Sequence, residues 1–152
     1  MRLSDILQPD CVVVPLDEAD KQAAIFALAD VLVANTDITD GDALKEAIWR
    51  RESTRTTGIG GGVAVPHGKT DGVPGLRMAM ARTASPVEFD SIDRKPVELI
   101  ILLASPPDQT GPHIEALSRI SRMLVDGDVR ERLKGLATGE ELYAAVVELD
   151  EG

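Results

Sequence analysis

Imidazole ionises close to neutrality, so it is the side-chain nucleophile available near pH 7 without help from a strong base. This chain carries two, His67 and His113. His67 lies in the stretch Thr56–Lys69, TTGIGGGVAVPHGK, where Gly58, Gly60, Gly61, Gly62 and Gly68 surround a short apolar run ending in Pro66-His67. Glycine tolerates positive φ and lets another molecule approach the backbone closely. Proline fixes φ and removes a donor, which holds its neighbour in a defined direction. The pattern predicts a flexible loop, a short buried strand Val63–Val65 and a histidine aimed rigidly from the strand exit. His113 is expected to open a helix after the Pro- and Gly-rich segment Ser105–Pro112. A lone histidine would read as a satisfied loop residue. The glycine loop, Pro66 and the second imidazole together favour one site with His67 as its nucleophile.

A neutral imidazole can attack a phosphoryl group and form a phosphoramidate that stays reactive enough to hand the group on. Such transfer needs in-line positioning and stabilisation of the equatorial oxygens more than covalent help. A reversible carrier would use backbone N–H donors, a second imidazole and a guanidinium. Gly60, Gly61 and Gly62, His113, and Arg51 could supply them.

Other readings of the glycine loop fail on spacing. The dinucleotide pattern G-x-G-x-x-G breaks at Val63 when counted from Gly58 and at Val65 when counted from Gly60. The Walker A pattern nearly appears from Gly62 to Thr70, but five residues separate Gly62 from Gly68 instead of four. It would also place Val63, Val65 and Pro66 where successive N–H groups should cradle phosphates, and Pro66 has none to give. No G-x-S-x-G elbow is present for serine chemistry. Two imidazoles are too few for a metal site, and Asp108 and Glu115 lack the spacing of H-E-x-x-H. We therefore expect neither a metal nor a nucleotide cofactor.

The elements that must position these residues follow from periodicity. Cys11–Val14 reads as a strand. Asp17 is a plausible N-cap for a helix to about Ala34, with Ala24, Leu28, Val31 and Leu32 on one stripe. Thr39–Asp42 resembles a helix start, and Leu44, Ala47, Ile48 and Arg51 share the next helix's face. Leu76–Thr83 alternates as a strand does, with turns at Ser85-Pro86 and Ser91–Lys95. Val97–Ala104, VELIILLA, is almost continuously apolar and predicts a central strand buried on both faces. Helices follow at about His113–Leu124 and Val129–Lys134. The last helix, with Thr138 and Glu141 as a capping box, runs to about Leu149. Strands interleaved with helices predict an α/β domain, a mixed sheet between helical layers.

A length of 152 residues and 43% apolar content suit a single domain, residues 1–152, with its own core. With 3% aromatics the core must be aliphatic. No apolar run is long enough to span a bilayer, and no secretory h-region precedes Cys11. A single cysteine, read as core, suits a reducing cytoplasm. The net charge of −10 argues against nucleic acid as a partner. That charge could steer a basic protein, or could be no more than a generally acidic surface.

The stretch Thr57–Lys69 resembles the signature of phosphotransferase-system (PTS) enzyme IIA domains of the fructose/mannitol class, which includes the nitrogen-regulatory IIA proteins. The resemblance continues through Arg51-Glu52, Phe89–Asp93, Pro96–Ile100 and Leu102–Pro106 to His113, and resumes at Thr138–Tyr143. It implies a single α/β domain of three layers, a mixed sheet flanked by helices. It implies that His67 accepts a phosphoryl group from the small carrier HPr or its nitrogen-branch equivalent. That group would pass to a IIB cysteine, for sugar transport, or be held as a regulatory signal to a target protein. His113 and Arg51 match the second active-site histidine and the nearby arginine, and no cofactor is implied. Three positions depart from the pattern. Gly61 stands where asparagine is common, Arg94 replaces a turn glycine, and Thr110–Pro112 lengthens the approach to His113. The chain stops at Gly152 without a IIB or IIC segment, so any acceptor is expected on a separate protein. A protein-binding module gated by His67 phosphorylation, and a degenerate domain that no longer transfers, are the alternatives.

Overall fold

The computed structural model describes residues 1–151. A six-stranded mixed sheet runs in the order β1-β5-β6-β3-β2, with β4 also paired to β6. The strands are β1 (Leu7–Leu16), β2 (Gly58–Gly60), β3 (Val63–Ala64), β4 (His67–Lys69), β5 (Arg77–Val87) and β6 (Val97–Ser105). Five α-helices accompany them: α1 (Lys21–Asn35), α2 (Gly41–Thr54), α3 (Thr110–Leu124), α4 (Gly127–Lys134) and α5 (Gly139–Glu151). The sheet is open, and the helices cover it. Every residue of β6 from Leu99 to Ser105 is buried, which requires cover on both faces. No helix among the described residues is long and apolar enough to cross a membrane.

The strand predicted at Val97–Ala104 is therefore present, central and one residue longer. Leu28 and Leu32 of α1, Leu44 and Ile48 of α2 and Ile120 of α3 pack in one aliphatic core with it, and Phe89 is its one fully buried aromatic ring. Trp49 is half-buried at the edge of that core, edge-on to Phe26.

Several boundaries move. Strand β1 begins at Leu7 and runs to Leu16, well beyond Cys11–Val14. It pairs with β5 alone, so Pro9 and Pro15 are tolerated as edge-strand prolines. The N-cap of α1 is Asp20, whose carboxylate accepts from Ala23 N at 2.9 Å, and not Asp17. Asp40 caps α2 by accepting from Ala43 N, as Thr39–Asp42 implied. Ser85-Pro86 is not a turn but part of β5. Pairing with β1 ends at Thr83, so this portion has only β6 beside it, and the register shifts between Arg82 and Val87. The last helix carries half of the expected box. Thr138 Oγ1 accepts from Glu141 N, while Glu141 reaches back to Ala137 N and not to Thr138 N.

Helix α3 starts at Thr110, so His113 lies in its first turn and does not open it. Pro112 is accommodated because N–H groups in the first turn have no helical partner to lose. Thr110–Pro112 is thus the helical turn that carries His113. Arg94, at φ 62°, occupies the left-handed conformation that a turn glycine would adopt without strain.

Candidate functional site

Strands β4 and β6 run parallel, with His67 opposite Leu103, Gly68 opposite Ala104 and Lys69 opposite Ser105. Their carboxyl ends lie side by side at one end of the sheet, and the chain leaves β6 through Pro106–Gln109 directly into α3. Open α/β sheets form their crevices at the carboxyl ends of parallel strands. Here the crevice is a cleft of about 580 Å³ lined by His67, Gly68 and Lys69 of β4, Arg50, Arg51 and Thr54 of α2, and His113 of α3. The structure thus brings together His67, His113 and Arg51.

Backbone connections fix His67. Val65 N donates to Thr57 O at 3.1 Å, and Leu103 N donates to Pro66 O at 3.0 Å. Pro66 has no N–H and separates β3 from β4, which leaves the Val65 carbonyl free to meet His67 Nδ1 at 2.8 Å. A carbonyl can only accept, so Nδ1 carries the proton and Nε2 keeps its lone pair. Burial is the main force lowering the His67 pKa below its ordinary value. The hydrogen bond to Val65 opposes it, and the charges of Arg51 and Lys69 add to it against Glu52. The ring is neutral at pH 7.

The two imidazole centroids lie 5.4 Å apart with the rings at 62°. His113 is buried, and its pKa is lowered to about 4 by burial first, then by His67 and Lys69. Its Nδ1 meets the Ser105 hydroxyl at 2.6 Å. Arg51 sits in the last turn of α2, and its Nη1 donates to Arg55 O at 2.8 Å. Lys69 Nζ reaches Thr110 Oγ1 at 3.4 Å across the mouth. Arg50, Arg51 and Lys69 put three cations on the rim of this cleft, in a chain whose net charge is −10.

Gly60, Gly61 and Gly62 are not brought to the imidazoles. They form the tight turn between β2 and β3, with φ of 97°, 67° and 80°. Gly62 O accepts from Leu99 N, whereas His67 pairs four residues further along β6, about 13 Å at strand rise. Gly61 N is engaged by Asp93 Oδ2 at 3.0 Å, and its carbonyl by Lys134 Nζ at 3.1 Å. Gly60 and Gly61 line a different cavity, with Arg130 and Val125. Their amides therefore do not face a group held on His67.

Three contributors have no role assigned to them by the sequence. Gly68 allows α2 to pack directly on β4: a Cβ there would lie 2.9 Å from Ile48 N and 3.1 Å from Ala47 C. Glu52, buried beside Arg51, accepts from Thr57 N at 2.9 Å and from the Thr57 hydroxyl, and pairs with Lys21 at 3.1 Å. It holds the start of the glycine segment to α2. Ser105 is the third. A single polar residue closing an apolar strand was the available signal. Among the described residues no group of three or more His, Cys, Asp or Glu side chains could hold a metal ion.

A bare, neutral Nε2 beside a second imidazole and a guanidinium can attack an electrophilic centre bearing negative oxygens. Comparison with known proteins bears on which one. Residues 5–148 match the family described as phosphoenolpyruvate-dependent sugar phosphotransferase system, EIIA 2. The chain is 38% identical over 133 residues to a PTS fructose-specific EIIA component of Haloferax volcanii, covering 86% of each. It is 33% identical to a nitrogen regulatory protein of Pseudomonas aeruginosa, covering 100% of this chain and 99% of the relative. The crystal structure of nitrogen regulatory protein IIA-Ntr from Neisseria meningitidis superimposes with a TM-score of 0.86 at 32% identity, over 95% of this chain and 98% of that one. The same fold, at 21% identity and a TM-score of 0.80, recurs in the mannitol IIA of Escherichia coli solved with phosphorylated IIB, covering 94% of this chain and 99% of that one.

Proposed function

The chain belongs to the phosphoenolpyruvate-dependent sugar phosphotransferase system EIIA 2 family, and from that premise we propose that His67 Nε2 is its phosphoryl acceptor. The donor is the phosphohistidine of an HPr-like carrier, and the recipient is a IIB cysteine or a regulatory target. The observation that carries the proposal is the Nδ1 bond to Val65 O, which turns the unprotonated nitrogen of a neutral ring to the cleft.

In the transfer step the Nε2 lone pair attacks phosphorus in line with the donor's N–P bond. That bond breaks, and its electron pair returns to the donor ring. Nδ1 keeps its proton and goes on donating to Val65 O, so His67 takes up the positive ring charge that the donor ring gives up. His113 and Arg51 stabilise the three equatorial oxygens, over which charge is spread in a loose transition state. Gly60–Gly62 have no part in this step; their role is to close the hairpin that leads into β3.

The test is incubation with enzyme I, HPr and labelled phosphoenolpyruvate. Wild type takes up label and His67→Ala does not; equal labelling of the two would refute the assignment. His113→Ala keeps the fold and slows acceptance by about 10²–10⁴-fold, the range for a positioned polar catalytic group.

A regulatory output is favoured by the full-length likeness to nitrogen regulatory proteins. A phosphoryl group carries about −1.5 to −2 charge, partly offset by the positive His67 ring, and the remaining negative charge in a cleft rimmed by Arg50, Arg51 and Lys69 would change what docks there. Onward transfer to added IIB proteins separates the two outputs. Loss of label to a IIB cysteine marks a transport carrier, and retention of label with phosphorylation-dependent capture of a partner marks a regulator.

A further inference from the structure

Ser105 is the last residue of β6 and is completely buried. Its backbone is held along β4: it pairs with Lys69, and its carbonyl accepts from Thr70 N at 3.1 Å. Its side chain therefore has little choice of direction. Oγ lies 2.6 Å from His113 Nδ1 and has no other hydrogen-bond partner among the described residues. Imidazole has two neutral tautomers, and the nitrogen that carries the proton is set by what the other nitrogen meets.

We propose that Ser105 is a positioning residue whose hydroxyl donates to His113 Nδ1 and so holds His113 in the Nε2–H tautomer. This is the form that can donate to an oxygen of a phosphoryl group on His67. The catalytic half of the inference rests on the reading of His67 as acceptor; the tautomer half does not.

The direction of the bond follows from proton accounting. If His113 Nδ1–H donated to Ser105, the hydroxyl proton would be left without an acceptor in a fully buried place. The penalty for orphaning such a group favours the opposite arrangement by roughly 5- to 150-fold. With the hydroxyl donating, both groups are satisfied, and the protonated Nε2 lies on the ring edge away from Ser105. The ring lines the same cleft as His67. The Nδ1–H tautomer would instead present a lone pair to phosphoryl oxygens, which repels them. The two histidines thus hold opposite tautomers for opposite tasks. Val65 O keeps His67 Nε2 bare for attack, and Ser105 keeps His113 Nε2 protonated for donation.

Long-range ¹H–¹⁵N spectra of histidine-labelled protein at pH 7 read both tautomers directly. In wild type His113 Nε2 shows the protonated shift and Nδ1 the unprotonated one, with the reverse at His67. In Ser105→Ala the His113 shifts move toward a mixture, those of His67 stay, and label uptake from phosphorylated HPr slows about 3- to 30-fold, part of the full contribution of a positioned acid or base. Ser105→Thr, which keeps a hydroxyl, restores both. A wild-type His113 protonated on Nδ1 overturns the proposal without reference to any variant. So does a Ser105→Ala protein with unchanged shifts and unchanged uptake. Wild type that takes up no label overturns the carrier reading instead, and the spectra still decide the tautomer.

Discussion

Gly68→Ala tests how closely the two halves of the site are built together. The added Cβ would lie 2.9 Å from both Ile48 N and Ile48 Cγ1, and 3.1 Å from Ala47 C. Two of these three atoms are backbone and cannot rotate away. Ordinary contact begins near 3.4 Å, so α2 and β4 must separate by about half an ångström. Strand β4 is hydrogen-bonded to the central β6, which leaves α2 as the element that moves. Arg51 is one turn beyond Ala47 on that helix, so the shift is carried to the guanidinium. Overpacking of this kind costs about 1–3 kcal/mol, or roughly 2–12 °C in Tm for a chain of this size. Since a 1 Å misplacement can cost about 10²-fold, phosphoryl acceptance should fall about tenfold. Gly111→Ala is the control, because a Cβ there meets nothing within 4 Å. Thermal unfolding by circular dichroism and label uptake from phosphorylated HPr measure the two effects. A Gly68→Ala protein matching wild type in both would refute the argument that this glycine sets the distance between Arg51 and His67.

Two further outcomes follow from the same geometry. The His113 pKa is lowered to about 4 in the folded protein, while the unfolded chain regains a value near 6.5. The unfolded state therefore binds the extra proton first. Stability is fully present above about pH 6.5 and falls as pH drops toward 4, by on the order of 3 kcal/mol in all. Urea titrations of wild type and His113→Gln across this range should show a steeper acid loss in wild type; parallel profiles would contradict it. Glu52→Ala removes the acceptor of Thr57 N and the partner of Lys21, a loss of about 2–4 kcal/mol for a buried, bonded charge. Glu52→Gln, which can still accept from Thr57 N, should lose less. A change below about 0.5 kcal/mol in Glu52→Ala would place the carboxylate elsewhere.

Strong local signals carried through to the structure. Val97–Ala104 read as central because eight nearly unbroken apolar residues have no other place to go. Asp40 lies within the predicted helix start, whereas the cap of α1 falls three residues after Asp17, because the carboxylate of Asp20 is the one that meets Ala23 N. Proline misled twice: Pro86 stands in β5 where one neighbour has ended, and Pro112 stands in a first helical turn. A hairpin turn and an anion cradle call for the same residue type, so in the sequence Gly60–Gly62 suit either. Only the register of β3 and β4 on β6 tells them apart. The meeting of His67, His113 and Arg51 rests on strands and helices separated by tens of residues. Gly68 and Ser105 gain meaning only once that meeting is known.

Which nitrogen of His67 is free decides where a phosphoryl group can attach. ¹⁵N and ³¹P spectra of the protein phosphorylated through enzyme I and HPr read that nitrogen directly. The Val65 bond predicts phosphorus on Nε2, with Nδ1 still protonated. Phosphorus on Nδ1, or on any residue other than His67, would contradict it.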